Sequence, residues 1–212
     1  MAALSAPAAA ADPVVLVVGD SLSAGYGVSR REAWPGRLQE RLEAQGLPHR
    51  VVNASITGDT TRGGLARLPA ALKRHDPAIV VLELGGNDGL RGIPAEEIRR
   101  NLQQMIQLST SSGAEVLLAG MRIPPNYGPQ YADAFHRVYR HLAQEYGIRL
   151  VPFLLEGIAL EEGHMQDDGI HPTPEGQAAM LDNVWPELEP LLAGTARLPS
   201  SSGGAIPQQR QH

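Results

Sequence analysis

The residues best suited to chemistry are a serine, an aspartate and a histidine far apart in the chain. Ser21 stands in Gly19-Asp20-Ser21-Leu22-Ser23, and Asp168-Gly169-Ile170-His171-Pro172 supplies an acid and a base three residues apart. A serine hydroxyl is a weak nucleophile at neutral pH and needs an adjacent base whose tautomer is held by a third group. The Asp-x-x-His spacing favours Asp168 over its neighbour Asp167 for that third role. Pro172 biases His171 away from helical geometry, so the pair is expected on a loop. Such a set is suited to acyl transfer. Taken alone, however, Gly-Asp-Ser is more commonly a turn in which Asp20 caps a helix. Asn53 to Asp59 and Gly85-Gly86-Asn87-Asp88-Gly89 each read, by themselves, as tight turns.

Position along the chain changes that reading. Short β-branched runs at Val14–Val18, Arg50–Asn53, Ile79–Leu84, Glu115–Ala119 and Arg149–Phe153 alternate with stretches of helical period. Ile98, Leu102, Met105 and Ile106 form one apolar helix face, and Phe135, Val138, Tyr139, Leu142 and Tyr146 form another. Pro94 with Glu96 and Glu97 marks the start of the first of these helices, while Thr173 and Pro174 start the last one. This pattern predicts a three-layer α/β/α sandwich with a five-stranded parallel sheet of flavodoxin-like topology. In a sheet of order 2-1-3-4-5 the loops after the first and third strands flank the switch point, so Ser21 and Asn87 face one crevice.

The chain has 212 residues, 42% hydrophobic and 19% charged, which suits a single domain with one substantial core. A formal net charge of −5 gives no basic footprint for nucleic acid. The absence of cysteine excludes disulfides, thiolate metal sites and a cysteine nucleophile. No apolar run approaches the roughly 18 residues that span a bilayer. Residues 1–12, mostly Ala, Pro and Ser with an Ala-x-Ala pattern, are expected to be the remnant of an export signal or a flexible N-terminus. This favours a periplasmic or secreted location over a cytoplasmic one. The domain is expected over 13–193, with 194–212 a disordered tail rich in Ser, Gly, Pro and Gln. His49, His75, His136 and His141 fall on expected surface or helix positions and form no metal-binding pattern, so neither a metal nor a cofactor is expected.

Together these segments resemble the blocks of the SGNH, or GDSL-type, hydrolase superfamily. They are similar to its branch of bacterial arylesterases, acyl-CoA thioesterase I and lysophospholipase L1. The likeness runs from about Val14 to Leu192 and includes Val52-Asn53-Ala54-Ser55, Gly85 to Gly92 and Met165 to Pro172. It implies a serine hydrolase of carboxylic esters, with Ser21 as nucleophile and Asp168 and His171 completing the triad. It further implies an oxyanion hole from the Ser21 N–H, Gly58 and Asn87. The chemistry agrees, because Asn87 offers a side-chain N–H and Gly58 a backbone N–H with no Cβ in the way. The resemblance also implies an acyl groove shaped by Gly89, Leu90 and Arg91. The loops after strands four and five add apolar candidates, Met121, Ile123, Pro124, Pro125 and Tyr127, then Phe153, Leu154, Leu155, Ile158 and Leu160. The expected partner is a small acyl ester or thioester. Two other classes remain open at this point: a metal-dependent phosphoesterase and a non-catalytic flavodoxin-like binding module.

Overall fold

The computed structural model describes residues 12–196. Its centre is β1 (Val14–Gly19), a strand buried along its whole length, as expected of an apolar run sandwiched between helical layers. β1 pairs in parallel with β2 (Arg50–Asn53) on one side and β3 (Ile79–Glu83) on the other. β4 (Glu115–Ala119) and β5 (Arg149–Val151) continue the sheet in the order β2-β1-β3-β4-β5. This is the predicted order, and its direction reverses between β1 and β3. The last strand stops two residues short of expectation, because Pro152 has no N–H to continue the ladder.

Helices fill both faces. A short α1 (Ser21–Ala24) follows β1, and α2 (Trp34–Ala44) packs beside α7 (Pro174–Thr195) on one face. The other face carries α3 (Thr61–His75), α5 (Ala95–Ser111) and α6 (Pro129–Tyr146), with a one-turn α4 (Gly86–Leu90) at the end of β3. Ile98, Leu102, Met105 and Ile106 of α5 and Phe135, Val138, Tyr139 and Leu142 of α6 are all buried, as their spacing requires. Pro94 is the residue before α5 rather than its first member.

Two expectations need correction. His49 is not on the surface: it is 2% exposed, and its Nε2 lies 2.9 Å from Thr195 Oγ1. The apolar period that ends near 193 also understates the last helix, since that contact belongs to its final turn and α7 continues through Thr195. The rest of the expected tail, from 197, and the N-terminal 1–11 lie outside the described residues.

Thr173 starts α7 and also holds the segment before it. Its Oγ accepts from Gly176 N at 3.3 Å and donates to Gly163 O at 2.7 Å. Replacing a capping threonine with alanine costs about 1 kcal/mol. Thr173→Ala should therefore lower the melting temperature by about 2–4 °C in a circular dichroism scan.

Candidate active site

The turn after β1 is built by exclusion of side-chain volume. A Cβ on Gly19 would lie 2.5 Å from Glu83 Oε2 and 2.8 Å from Ser23, so only glycine lets β1 approach β3 here. Asp20 then caps α1, its Oδ1 accepting from Leu22 N at 3.0 Å. Ser21 becomes the first residue of that helix, where a backbone N–H has no intrahelical acceptor. Beneath it, the Ser23 hydroxyl donates to Glu83 Oε2 at 2.6 Å and accepts from Trp34 Nε1 at 3.0 Å.

The acid and base come from the segment that leads into α7. Met165 and Pro172 form an antiparallel bridge, Gln166 N donates to His171 O at 2.8 Å, and Gly169 takes the positive φ (67°) that the tight return requires. Inside this loop, Asp168 Oδ1 accepts from the backbone N–H groups of Ile170 and His171, both at 2.9 Å. Asp168 Oδ2 lies 2.7 Å from His171 Nδ1, and His171 Nε2 lies 2.9 Å from Ser21 Oγ. Asp168 is held down to about 2, first by the His171 side chain and then by the two backbone N–H groups. A carboxylate at Nδ1 fixes the proton there, which leaves Nε2 to accept from the serine. Asp167 is exposed and makes no hydrogen bond to His171. Tyr26 lies against the imidazole with ring centroids 4.4 Å apart, and its carbonyl accepts from Gln166 Nε2 at 2.8 Å.

Asn87, in α4 at the end of β3, lines one cavity with Ser21, and Gly58 lies on the loop after β2. Gly58 has φ +78° and its N–H has no acceptor among the described residues. Asn87 Nδ2 donates to Asp20 Oδ2 at 3.0 Å, which uses one of its two amide hydrogens. Arg67 ties the loop after β2 to β1, pairing with Asp59 and donating to Ala54 O and Gly19 O.

A cavity of about 430 Å³ opens beside Ser21, Asn87 and His171. Leu90, Ile123 and Pro124 line it, together with Met121, Phe153 and Leu155. Several of the other expected wall residues lie elsewhere. Gly89 packs beneath Ile123 and Phe135, Arg91 donates to Gly58 O at 3.1 Å, and Tyr127 is exposed outside the wall. Leu154 and Ile158 are in the core, and Leu160 is fully exposed. Ala159, Met165 and Ile170 also line it, without any periodic signal in the sequence, and Arg122 adds a charged side chain to the wall. Among the described residues no group of three or more His, Cys, Asp or Glu side chains is placed to hold a metal ion.

Two buried acids lie under the site. Burial pushes Asp20 up to about 6, and burial together with the nearby Asp20 charge pushes Glu83 well above the usual carboxylate range. The folded chain therefore binds the Asp20 proton more tightly than the unfolded chain does. Ionised Asp20 costs stability above pH 6, and the cost fades as the pH falls towards 3.8. Asparagine has no proton to lose. Asparagine also keeps only one of the two acceptor oxygens, a cost that does not depend on pH, so the stability of Asp20→Asn relative to the wild type should rise by on the order of 2 kcal/mol from pH 4 to pH 8. Urea denaturation at the two pH values measures this directly.

The model of the GDSL-like lipase/acylhydrolase family matches residues 17–179. The chain is 54% identical over 183 residues to the esterase TesA of Pseudomonas aeruginosa, covering 86% of this chain and 91% of that protein. It is 47% identical over 185 residues to thioesterase 1/protease 1/lysophospholipase L1 of Escherichia coli, covering 87% of each. The crystal structure of the psychrotrophic esterase EstA from Pseudoalteromonas, inhibited by monoethylphosphonate, superposes with a TM-score of 0.82 at 35% identity, covering 86% of this chain and all of that one. By sequence and by fold, the chain belongs to the GDSL-like lipase/acylhydrolase family of SGNH hydrolases.

Proposed function

We propose that the protein hydrolyses carboxylic esters, including aryl and alkyl esters, acyl thioesters and lysophospholipids, through an acyl-enzyme on Ser21. The observation that carries this reading is the unbroken hydrogen-bonded series from Ser21 Oγ through His171 to Asp168. His171 Nε2 takes the serine proton as Oγ attacks the acyl carbonyl, and Asp168 stabilises the imidazolium that forms. The Ser21 and Gly58 N–H groups and the free amide hydrogen of Asn87 meet the negative oxygen of the tetrahedral intermediate. His171 then gives its proton to the departing alcohol or thiol. Water repeats the sequence on the acyl-enzyme and releases the acid. Leu90, Ile123 and Pro124 hold the acyl group in the apolar cavity. Gly89 supports that wall from behind, and Arg91 fixes the carbonyl of Gly58.

The relatives support the substrate class, since their names include esterase, arylesterase, thioesterase and lysophospholipase. No helix among the described residues is long and apolar enough to cross a membrane. A periplasmic or secreted location is supported by the Ala-x-Ala pattern near the N-terminus, and cell fractionation checks it.

An organophosphonate should label one equivalent of wild-type protein at Ser21, seen by mass spectrometry, and fail to label Ser21→Ala. Turnover of an aryl ester should fall about 10⁴-fold or more in Ser21→Ala, because triad members act as a unit. Asn87→Ala should lose about 10²- to 10³-fold in kcat. Activity should survive excess EDTA; loss under EDTA would instead support a metal-dependent phosphoesterase.

A further inference from the structure

Seven large apolar side chains are exposed among the described residues, and their distribution is not random. Leu108 lies near the end of α5, at the amino edge of the sheet. The other six, Tyr26, Ile56, Leu90, Tyr127, Leu160 and Ile170, all lie on segments at the carboxyl edge. These segments follow β1, β2, β3, β4 and β5, with the loop before α7 supplying Ile170. Scattered exposed apolar residues need no explanation, but a group confined to one end of a molecule marks a contact surface.

Three of the six sit at the cavity and Leu160 adjoins it, while Ile56 lies towards α2 and β2 and Tyr127 outside the wall. Leu90 and Ile170 belong both to the rim and to the cavity wall, and Tyr26 lies on His171. Leu160 follows the lining residue Ala159 and is 101% exposed, so its outward position contributes nothing to the core. The loops at this edge carry both signs of charge, with Arg91 after β3, Arg122 after β4 and Glu161 and Glu162 next to Leu160 in the chain. The chain as a whole carries −5, which disfavours a strongly anionic partner.

We propose that this rim docks on a zwitterionic lipid surface, so that an acyl chain passes from the aggregate into the cavity without crossing water. The proposal rests on the reading of the cavity as an acyl site. A rigid protein face seated on the same rim would close the mouth, whereas a lipid surface supplies the molecule that the cavity accepts. Apolar and tyrosine side chains at the boundary of headgroup and acyl region are the usual means of such attachment.

The test places a reporter at the most exposed position. A Leu160→Trp variant, titrated with phosphatidylcholine vesicles, should show a blue shift in emission and should sediment with the lipid. The native tryptophans do not interfere, because Trp34 is fully buried and Trp185 lies on α7 beneath Arg41. In Leu160→Ser, partitioning should fall about tenfold, as expected for partial loss of one buried leucine. Its kcat/KM on a water-soluble short-chain aryl ester should stay within about twofold of the wild type. No blue shift at millimolar lipid, or equal partitioning of Leu160→Ser and wild type, overturns the proposal. So does a concentration-dependent dimer that Leu160→Ser abolishes while vesicles bind neither form, which would assign the rim to a second copy of the chain. Partitioning is read without turnover and can be repeated on Ser21→Ala. A failure of ester hydrolysis is therefore distinguishable from a failure of docking.

Discussion

The contact on which the rest of the site depends is the 2.9 Å approach of His171 Nε2 to Ser21 Oγ, between residues 150 apart in sequence. One end is fixed by the close passage of β1 over Glu83 and by the capped first turn of α1. The other is fixed by the bridged loop before α7. α2 and α7 pack on each other, and Gln177 of α7 reaches back to the start of both short and long helices. Its Oε1 accepts from Trp34 N at 2.8 Å, and its Nε2 donates to Leu22 O at 3.2 Å. Helix packing thus sets a distance that the chemistry needs to within tenths of an ångström.

The buried acids show what this arrangement costs. Asp20 accepts from both the α1 backbone and the Asn87 amide, which orients a group suited to stabilising an oxyanion. The same burial raises its pKa and makes its charge unfavourable for folding. Glu83, fully buried beneath it, binds Ser23 Oγ and Asp20 N through one oxygen, while the other has no partner among the described residues. Strain of this kind is typical of sites in which function competes with stability.

Much of the fold was legible because parallel strands are buried on both faces and read as uninterrupted apolar runs, as Val14 to Val18 does. The alternation of strands and helices pointed to a doubly wound sheet, and the order 2-1-3-4-5 is that of its flavodoxin-like form. The acid and base were legible because they are local, separated by one turn that their own backbone closes. Glu83 was not, since a glutamate ending an apolar strand gives no sign that it will be enclosed by Gly19, Asp20 and Ser23 from another strand. His49 was misplaced for the same reason: its partner, Thr195, is supplied by the last turn of the last helix. The cavity wall was read only in part, because Ala159, Met165 and Ile170 come from irregular segments where neither a period of 2 nor of 3.6 applies.

The loop carrying Asp168 and His171 has a consequence for motion. Its two members are held together by two hydrogen bonds, and a third ties Asp168 to Ile170 between them, so a shift of α7 carries them as one body. The acid–base pair keeps its internal alignment while its distance to Ser21 varies. The seating of α7 on α2, rather than the rotamers of two independent side chains, then decides how the pair meets the serine.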